Sequence, residues 1–221
     1  MPIRKNVLAN GCYYHIYVRS IAGFVVFNNS YEYKAMLDLI NLCKYVDFQM
    51  KYSRYKTLKS ESQTSYLKVL EGDSKKSVDV ISYCLMPTHV HLLLKQNTNN
   101  GISNFMNRIL SSYSKNFNII HKRNGPLRTT RFKNVKIDND EQLLHLTRYI
   151  HLNPTSKELV EKPEYWRYSS YNTYISKERC AMNSEIINMN SDEYRNFVED
   201  RKQYQRQLLV MKSLLIESYT S

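Results

Sequence analysis

Residues 78–95 read VDVISYCLMPTHVHLLLK, and this stretch decides the fold. It contains two apolar runs, Val78–Met86 and Thr88–Lys95, separated by little more than Pro87. Proline cannot donate a hydrogen bond within a sheet, so Pro87 belongs to a connection rather than to a strand. We therefore expect the two runs to form a tight antiparallel pair.

The sequence on either side of this pair carries alternating strand and helix patterns, set by apolar spacing and by capping and breaking residues. The predicted elements are a strand over Cys12–Arg19, a helix over Tyr31–Val46, the strand pair, a helix over Gly101–Asn124, a strand over Phe132–Ile137, and a helix over Asp138–Asn153 that Pro154 ends. This order matches the βαββαβ ferredoxin-like (RRM-like) arrangement with one helix added. The predicted fold class is α+β, with an antiparallel sheet.

The chain of 221 residues is interpreted as one main domain over residues 1–174 and a C-terminal helical extension over residues 175–221. Within the main domain, residues 50–77 are rich in Lys, Ser and Tyr and show weak periodicity, which predicts an inserted basic loop. In the extension, a Ser191-Asp192 cap begins a helix. We expect this helix to dock on the core or to pair with a second copy in a homodimer.

The charge balance favours a polyanionic partner. Lys and Arg number 32 against 20 Asp and Glu, a net charge of +12, and no acidic residue lies between Val80 and Ile137. Clustered positive charge attracts nucleic acid and gains affinity by counterion release. The residues predicted to contact DNA are Arg108, Lys115 and Lys122, which recur every seven residues along one helix, together with Arg123, Arg131 and Lys133.

Other classes of protein are disfavoured. The four cysteines are scattered without a CxxC pair, which argues against a disulfide framework or a structural zinc site. No apolar run is long enough to span a bilayer, and the first residues do not resemble a signal peptide. We expect a cytoplasmic protein with no membrane partner.

Two short patterns can carry chemistry. His89 and His91 are two residues apart in a predicted strand, so both imidazoles face the same side and can share a cation. Tyr149 and Asn153 are four apart at the end of a predicted helix and share a face, where the amide oxygen could complete the shell of a hard cation. Each pattern taken alone is more often structural.

These patterns occur together with other short segments across residues 13–171. The segments are Tyr14-His15-Ile16, Arg19, Phe27, the run from Leu85 to Leu94, Arg131-Phe132-Lys133, the run from Arg148 to Pro154, Trp166, and Ser169-Ser170-Tyr171. As a set they resemble the single-tyrosine HUH transposases, the insertion-sequence-200-like family that includes the repeat-associated tyrosine transposases.

The resemblance implies an HUH endonuclease type of fold and a DNA transposase. It implies that His89, His91 and Asn153 hold a divalent metal, Mg²⁺ or Mn²⁺, and that Tyr149 is the nucleophile. The implied substrate is single-stranded DNA with a hairpin or inverted-repeat structure. The implied reaction cleaves and rejoins that strand through a covalent 5′-phosphotyrosine intermediate.

Two alternatives remain open. A non-catalytic single-strand nucleic-acid binder would use the same basic and aromatic sheet. A metal-dependent nuclease that activates water would need a carboxylate near the histidines, and no acidic residue lies between Asp79 and Asp138. A covalent protein–DNA adduct is expected only of the transposase.

Overall fold

The computed structural model describes residues 8–127, 132–176 and 189–202. Its strands are β1 Tyr13–Arg19, β2 Val78–Met86, β3 His89–Gln96 and β4 Lys133–Ile137. Its α-helices are α1 Ser30–Cys43, α2 Tyr52–Thr57, α3 Ser60–Asp73, α4 Gly101–Ile120, α5 Asp140–Ser156, α6 Tyr171–Ile175 and α7 Ser191–Glu199. Short 3₁₀ turns span Ile21–Gly23 and Pro163–Tyr165.

The four strands form one antiparallel sheet in the order β2-β3-β1-β4. The Gly11 amide donates to the Gln96 carbonyl and the Gln96 amide donates to the Cys12 carbonyl, which sets β1 antiparallel to β3. This order is that of the βαββαβ ferredoxin-like fold. The predicted α+β fold class and the predicted strand pair around Pro87 are confirmed.

The described residues form two compact units. Unit 1 contains the described residues up to Val80, with Pro87–His89 and Leu94–Lys136. Unit 2 contains Ile81–Met86, Val90–Leu93 and the described residues from Ile137 onward. Strands β2 and β3 contribute residues to both.

Unit 1 is held by the packing of α1 on α4. The α4 side chains that recur at three- and four-residue spacing are buried: Ile102, Phe105, Met106, Ile109, Tyr113 and Phe117. Phe27, which precedes α1, stacks on Tyr33 at 4.9 Å and lies 5.2 Å from Tyr113, while the Tyr113 hydroxyl donates to the Val26 carbonyl. The amphipathic pattern of α4 was therefore a true signal for a core helix.

The predicted loop over residues 50–77 is wrong, because this segment forms α2 and α3. The Val46 amide donates to the Lys75 carbonyl, and the Ser77 amide donates to the Lys44 carbonyl. The two ends of the insertion therefore meet, so the rest of the fold accommodates it at a small entropic cost. The insertion packs through buried Tyr52 and Tyr55, and the Tyr52 hydroxyl donates to Asp38 of α1 at 3.1 Å.

In unit 2, residues 166–170 cover the outer edge of β2. The Trp166 indole donates to the Leu85 carbonyl at 3.0 Å, the Leu85 amide donates to Tyr168, and the Ser170 amide donates to the Tyr83 carbonyl. An edge strand otherwise presents unpaired backbone groups that invite aggregation. The tryptophan and serines of the resemblance therefore have a structural role in this chain.

Two helix boundaries differ from the predictions. Helix α5 passes Pro154 and ends at Ser156, because a proline in the last turn removes only one backbone donor. Helix α7 is capped by Asn190 rather than Ser191, in a capping box with Glu193. The part of the predicted C-terminal helix beyond residue 202 lies outside the described residues.

Within the described ranges, the structure contains no helix long and apolar enough to cross a membrane.

Candidate active site and basic surface

His89 and His91 lie at the start of β3, and both side chains are buried, with exposures of 9% and 3%. Because they are two residues apart in an extended strand, they belong to the same face of the sheet, as predicted. The Thr88 hydroxyl lies 3.0 Å from the His89 Nδ1 atom, and the Tyr17 ring packs 5.6 Å from the His89 ring. Thr88 and Tyr17 thus fix the orientation of this imidazole.

Tyr149 lies on α5 and retains 37% of its surface exposed, so it is not a core tyrosine. Its ring meets the His91 ring edge-on, with 5.6 Å between centroids and 84° between planes. The structure therefore brings together one predicted metal ligand and the predicted nucleophile in unit 2.

Asn153 is buried one turn after Tyr149. Its side-chain Nδ2 donates to the Tyr149 carbonyl at 2.9 Å and to the Ile150 carbonyl at 3.4 Å. Pro154 has no N–H to offer Ile150, so the Asn153 amide partly replaces the missing helical hydrogen bond. With both donor hydrogens directed to the backbone, the Oδ1 atom is the part of the amide suited to accept or to ligate.

The chemistry of this donor set suits a divalent cation. Imidazole nitrogens and an amide oxygen are neutral ligands, and carbonyl-type oxygen is preferred by Mg²⁺ and Mn²⁺. Among the described residues, no three His, Cys, Asp or Glu side chains are grouped as a metal site. A site here would thus depend on the asparagine oxygen as its third protein ligand.

The predicted DNA-contacting residues occupy different environments. Lys115, Lys122 and Arg123 line one shallow depression of about 430 Å³ near the end of α4, and Lys133 is exposed on β4. The Arg108 guanidinium instead donates to the Tyr45 and Phe48 carbonyls and packs 5.4 Å from the Phe48 ring. Arg131 lies outside the described residues.

His151 was not singled out from the sequence, yet it is completely buried between Tyr149 and Asn153 on α5. Its Nδ1 atom lies 2.7 Å from the Tyr194 hydroxyl, and its Nε2 atom lies 2.8 Å from the Ser170 hydroxyl. Burial lowers its pKa from 6.5 to about 3, so the ring is neutral at physiological pH. No periodic or motif signal distinguishes such a histidine from an exposed one.

Comparisons with known proteins identify the family and the fold of the chain. A family model described as "Transposase IS200 like" matches residues 39–153. A solved structure of a REP-associated tyrosine transposase bound to a REP hairpin shares the fold, with a TM-score of 0.52 and 13% identity, over 83% of this chain and 90% of that chain.

A tRNA(His) guanylyltransferase from Saccharomyces cerevisiae is also similar over 86% of this chain and 76% of its own, at 14% identity, but its TM-score is only 0.33. No curated protein sequence matches this chain.

Proposed function

The chain belongs to the IS200-like transposase family, and from that premise we propose that it cleaves and rejoins single-stranded DNA through Tyr149. The observation that carries the proposal is the pairing of the partly exposed Tyr149 ring with the buried His91 ring at 5.6 Å. A core tyrosine would be buried, whereas this one is partly exposed and has its ring packed against His91.

The proposed first step is an in-line attack by the Tyr149 oxygen on a phosphorus atom of the strand. A bond forms between phosphorus and the phenolic oxygen, and the bond from phosphorus to the 3′-oxygen breaks. The proton lost by the phenol is balanced by the proton that the leaving 3′-oxygen gains. The products are a 5′-phosphotyrosine and a free 3′-hydroxyl, and attack of a 3′-hydroxyl on the phosphotyrosine reverses the exchange to join strands.

We propose that His89, His91 and Asn153 hold the divalent cation, Mg²⁺ or Mn²⁺. When bound, such an ion withdraws charge from a phosphate oxygen and so makes the phosphorus more electrophilic. Thr88 occupies the Nδ1 atom of His89, which directs ligation to Nε2. The Asn153 hydrogen bonds to Tyr149 and Ile150 hold its oxygen in a fixed orientation relative to the helix that bears the nucleophile.

We propose a DNA hairpin as the substrate, since the solved structure with the shared fold is bound to a REP hairpin. The acid-free stretch from Ile81 to Ile137 supplies the positive charge that such a partner requires. The phosphates of a folded strand present more charge in one place than those of an extended one, which suits clustered rather than scattered lysines.

The test is an adduct assay with a panel of single-stranded hairpin oligonucleotides labelled on the 3′ side of the break. With Mg²⁺ or Mn²⁺, the wild-type protein should carry the label to a protein-sized band on a denaturing gel. Tyr149→Phe removes only the hydroxyl group, so it should abolish the adduct and leave folding and DNA affinity nearly unchanged. Tyr165→Phe, on an exposed tyrosine of the same unit, is the matched control and should remain active.

His91→Ala and excess chelator should each abolish the adduct while hairpin binding survives, because phosphate contacts come from the basic surface. Cleavage without any adduct, together with an active Tyr149→Phe variant, would show that water is the nucleophile. Hairpin binding with no cleavage under any condition would favour the non-catalytic alternative.

A further inference from the structure

A solvent-exposed aromatic ring stands beside the basic depression at the end of α4. Phe24 is 45% exposed although it is a large apolar side chain, and Ile119, which lines the depression, is 77% exposed. The Arg123 guanidinium lies 5.3 Å from the centre of the Phe24 ring, and the Phe117 ring supports Phe24 edge-on at 6.0 Å. We call this surface the Phe24 platform; its members are Phe24, Lys115, Ile119, Lys122 and Arg123.

The backbone at the end of α4 places the cations of the platform. The Arg123 amide donates to the Asn118 carbonyl at 3.0 Å and the Lys122 amide reaches the Ile119 carbonyl at 3.4 Å, which together form a Schellman C-cap. Lys122 occupies its left-handed position with φ of 48°, where glycine is usual. A lysine there is conformationally unfavourable, although its charge is favourable at the C-terminal end of a helix.

The platform adjoins the turn that precedes the first proposed metal ligand. The Val26 and Phe27 amides both donate to the Pro87 carbonyl, and the Ser20 amide donates to the Thr88 carbonyl. The loop that carries Phe24 is therefore fixed to the two residues immediately before His89. The Ile21 amide also donates to Leu127, which joins the same loop to the segment after α4.

We propose that the Phe24 platform binds unpaired nucleotides of the DNA substrate, with a base stacked on Phe24 and the flanking phosphates on Lys115, Lys122 and Arg123. This inference rests on the proposed function and adds the place where a single-stranded flank is held. An exposed aromatic ring among cations is the arrangement by which proteins bind single strands without reading sequence, since every base has a π face. A duplex would offer the phosphates but no open base for the ring.

The test separates the base from the phosphates. The probe is a fluorescent DNA hairpin with a six-thymidine single-stranded extension, compared with the same hairpin whose extension contains abasic sites; extensions on the 5′ and 3′ sides are tested separately. The protein carries Tyr149→Phe so that only binding is measured. We expect the thymidine extension to bind about five- to tenfold more tightly than the abasic one on one of the two sides, the lower end of the range for a stacked base.

Phe24→Leu keeps an apolar side chain against Phe117 and Arg123 but removes the π face, so it should reduce the ratio of the two affinities to about one. Tyr31→Ala is the matched control, because Tyr31 is 42% exposed and the Lys56 Nζ atom lies 4.2 Å from the centre of its ring. This variant should leave the ratio unchanged.

Lys122→Gly should weaken the binding of both probes by the same factor. It should not lower the melting temperature, since glycine adopts the left-handed backbone conformation without strain. An unchanged ratio in Phe24→Leu, or an equal loss with Tyr31→Ala, would overturn the proposal. Neither result would change the outcome expected of the adduct assay, so this proposal and the proposed function can fail separately.

Discussion

Glu32 is a carboxylate with no exposed surface at the start of α1. One of its oxygens accepts from the Asn28 amide at 2.6 Å and from the Asn28 side chain at 3.0 Å. The other accepts from Asn29 and lies 2.6 Å from the His121 Nε2 atom. Because His121 stacks on Phe117 at 4.0 Å, this single acid links the cap of α1 to the ring that supports Phe24.

We predict that Glu32→Gln destabilises the protein by about 2 kcal/mol at neutral pH, since hydrogen bonds to a buried charge are among the stronger ones. Burial raises the pKa of Glu32, but the bonds from Asn28 and His121 outweigh it and the net pKa is lowered. The carboxylate's contribution to the free energy of unfolding is therefore complete above its unfolded pKa of 4.5. This contribution is lost as the pH falls through the lower pKa of the folded state.

Urea unfolding between pH 7 and pH 3 checks this prediction. The difference in free energy of unfolding between wild type and Glu32→Gln should shrink below pH 4.5. Glu141→Gln, at a carboxylate with an 84% exposed side chain, should change stability little at any pH. A difference that stays constant down to pH 3 would contradict the assignment.

At the scale of the elements, helix α5 is fixed by one continuous chain of polar groups. A neutral His151 has one N–H, and with that hydrogen on Nδ1 the groups form one continuous series of hydrogen bonds. Ser170 donates to Nε2, Nδ1–H donates to Tyr194, Tyr194 donates to Thr147, and Thr147 donates to the Leu144 carbonyl. The Tyr83 amide donates to Ser170 at the other end. The chain thus ties α7 and the edge of β2 to the helix that bears Tyr149.

We predict that this buried histidine makes the protein acid-sensitive well above the range of the carboxylates. The unfolded chain binds a proton at His151 below pH 6.5, whereas the folded chain resists protonation until about pH 3. Folding stability should therefore fall as the pH drops from 6.5 toward 3, by up to about 1.4 kcal/mol per pH unit.

Chemical unfolding at several pH values checks the slope, which should be smaller in His151→Gln. A residual slope should remain in that variant, because burial also lowers the pKa of His15 to about 4. His145→Gln, on the same helix but with a 47% exposed side chain, should keep the wild-type slope. Tyr194→Phe breaks the chain without removing a group that titrates between pH 3 and pH 7, so it should lower stability by about the same amount across that range. Equal slopes in wild type and His151→Gln would show that the histidine is not held neutral.

The elements that were predicted correctly are those whose own sequence is consistent with their surroundings. Strand β2 begins and ends where its apolar run does, and α4 shows a strong amphipathic period. Helices α2 and α3 were missed because few of their side chains are buried, chiefly Tyr52, Tyr55 and Leu70. Tyr149 and the histidine pair could be proposed from the sequence because their motif is specific. Thr88 and His151 were not, because their roles depend on partners that only the folded chain supplies.

At the scale of the whole molecule, the basic residues behind the net charge of +12 lie in different surroundings. Lys115 and Lys122 are exposed and line the depression beside Phe24, so phosphates can displace the counterions around them. The Arg108 guanidinium is held by the carbonyls of Tyr45 and Phe48, at the point where the chain enters the α2–α3 insertion. The seven-residue spacing placed Arg108, Lys115 and Lys122 on one helix. It could not distinguish an exposed cation that is available to DNA from a cation that is held by the protein's own carbonyls.

We predict that Lys115→Ala combined with Lys122→Gly lowers the salt dependence of DNA binding, whereas Arg108→Leu lowers stability. Each lost phosphate contact should reduce the slope of log K against log salt concentration by roughly 0.7 to 0.9, so the double variant should lose about twice that. Arg108→Leu leaves two backbone carbonyls without this hydrogen-bond donor, so the free energy of unfolding should fall by roughly 1–3 kcal/mol. The slope of its DNA binding should be nearly unchanged. Hairpin titrations from 50 to 200 mM salt, beside urea unfolding of each variant, separate the two effects. If Arg108→Leu reduces the slope as much as the loss of one lysine does, Arg108 contacts DNA and the prediction is wrong for this residue. If the slope of the double variant is unchanged, Lys115 and Lys122 are solvated and do not contact DNA.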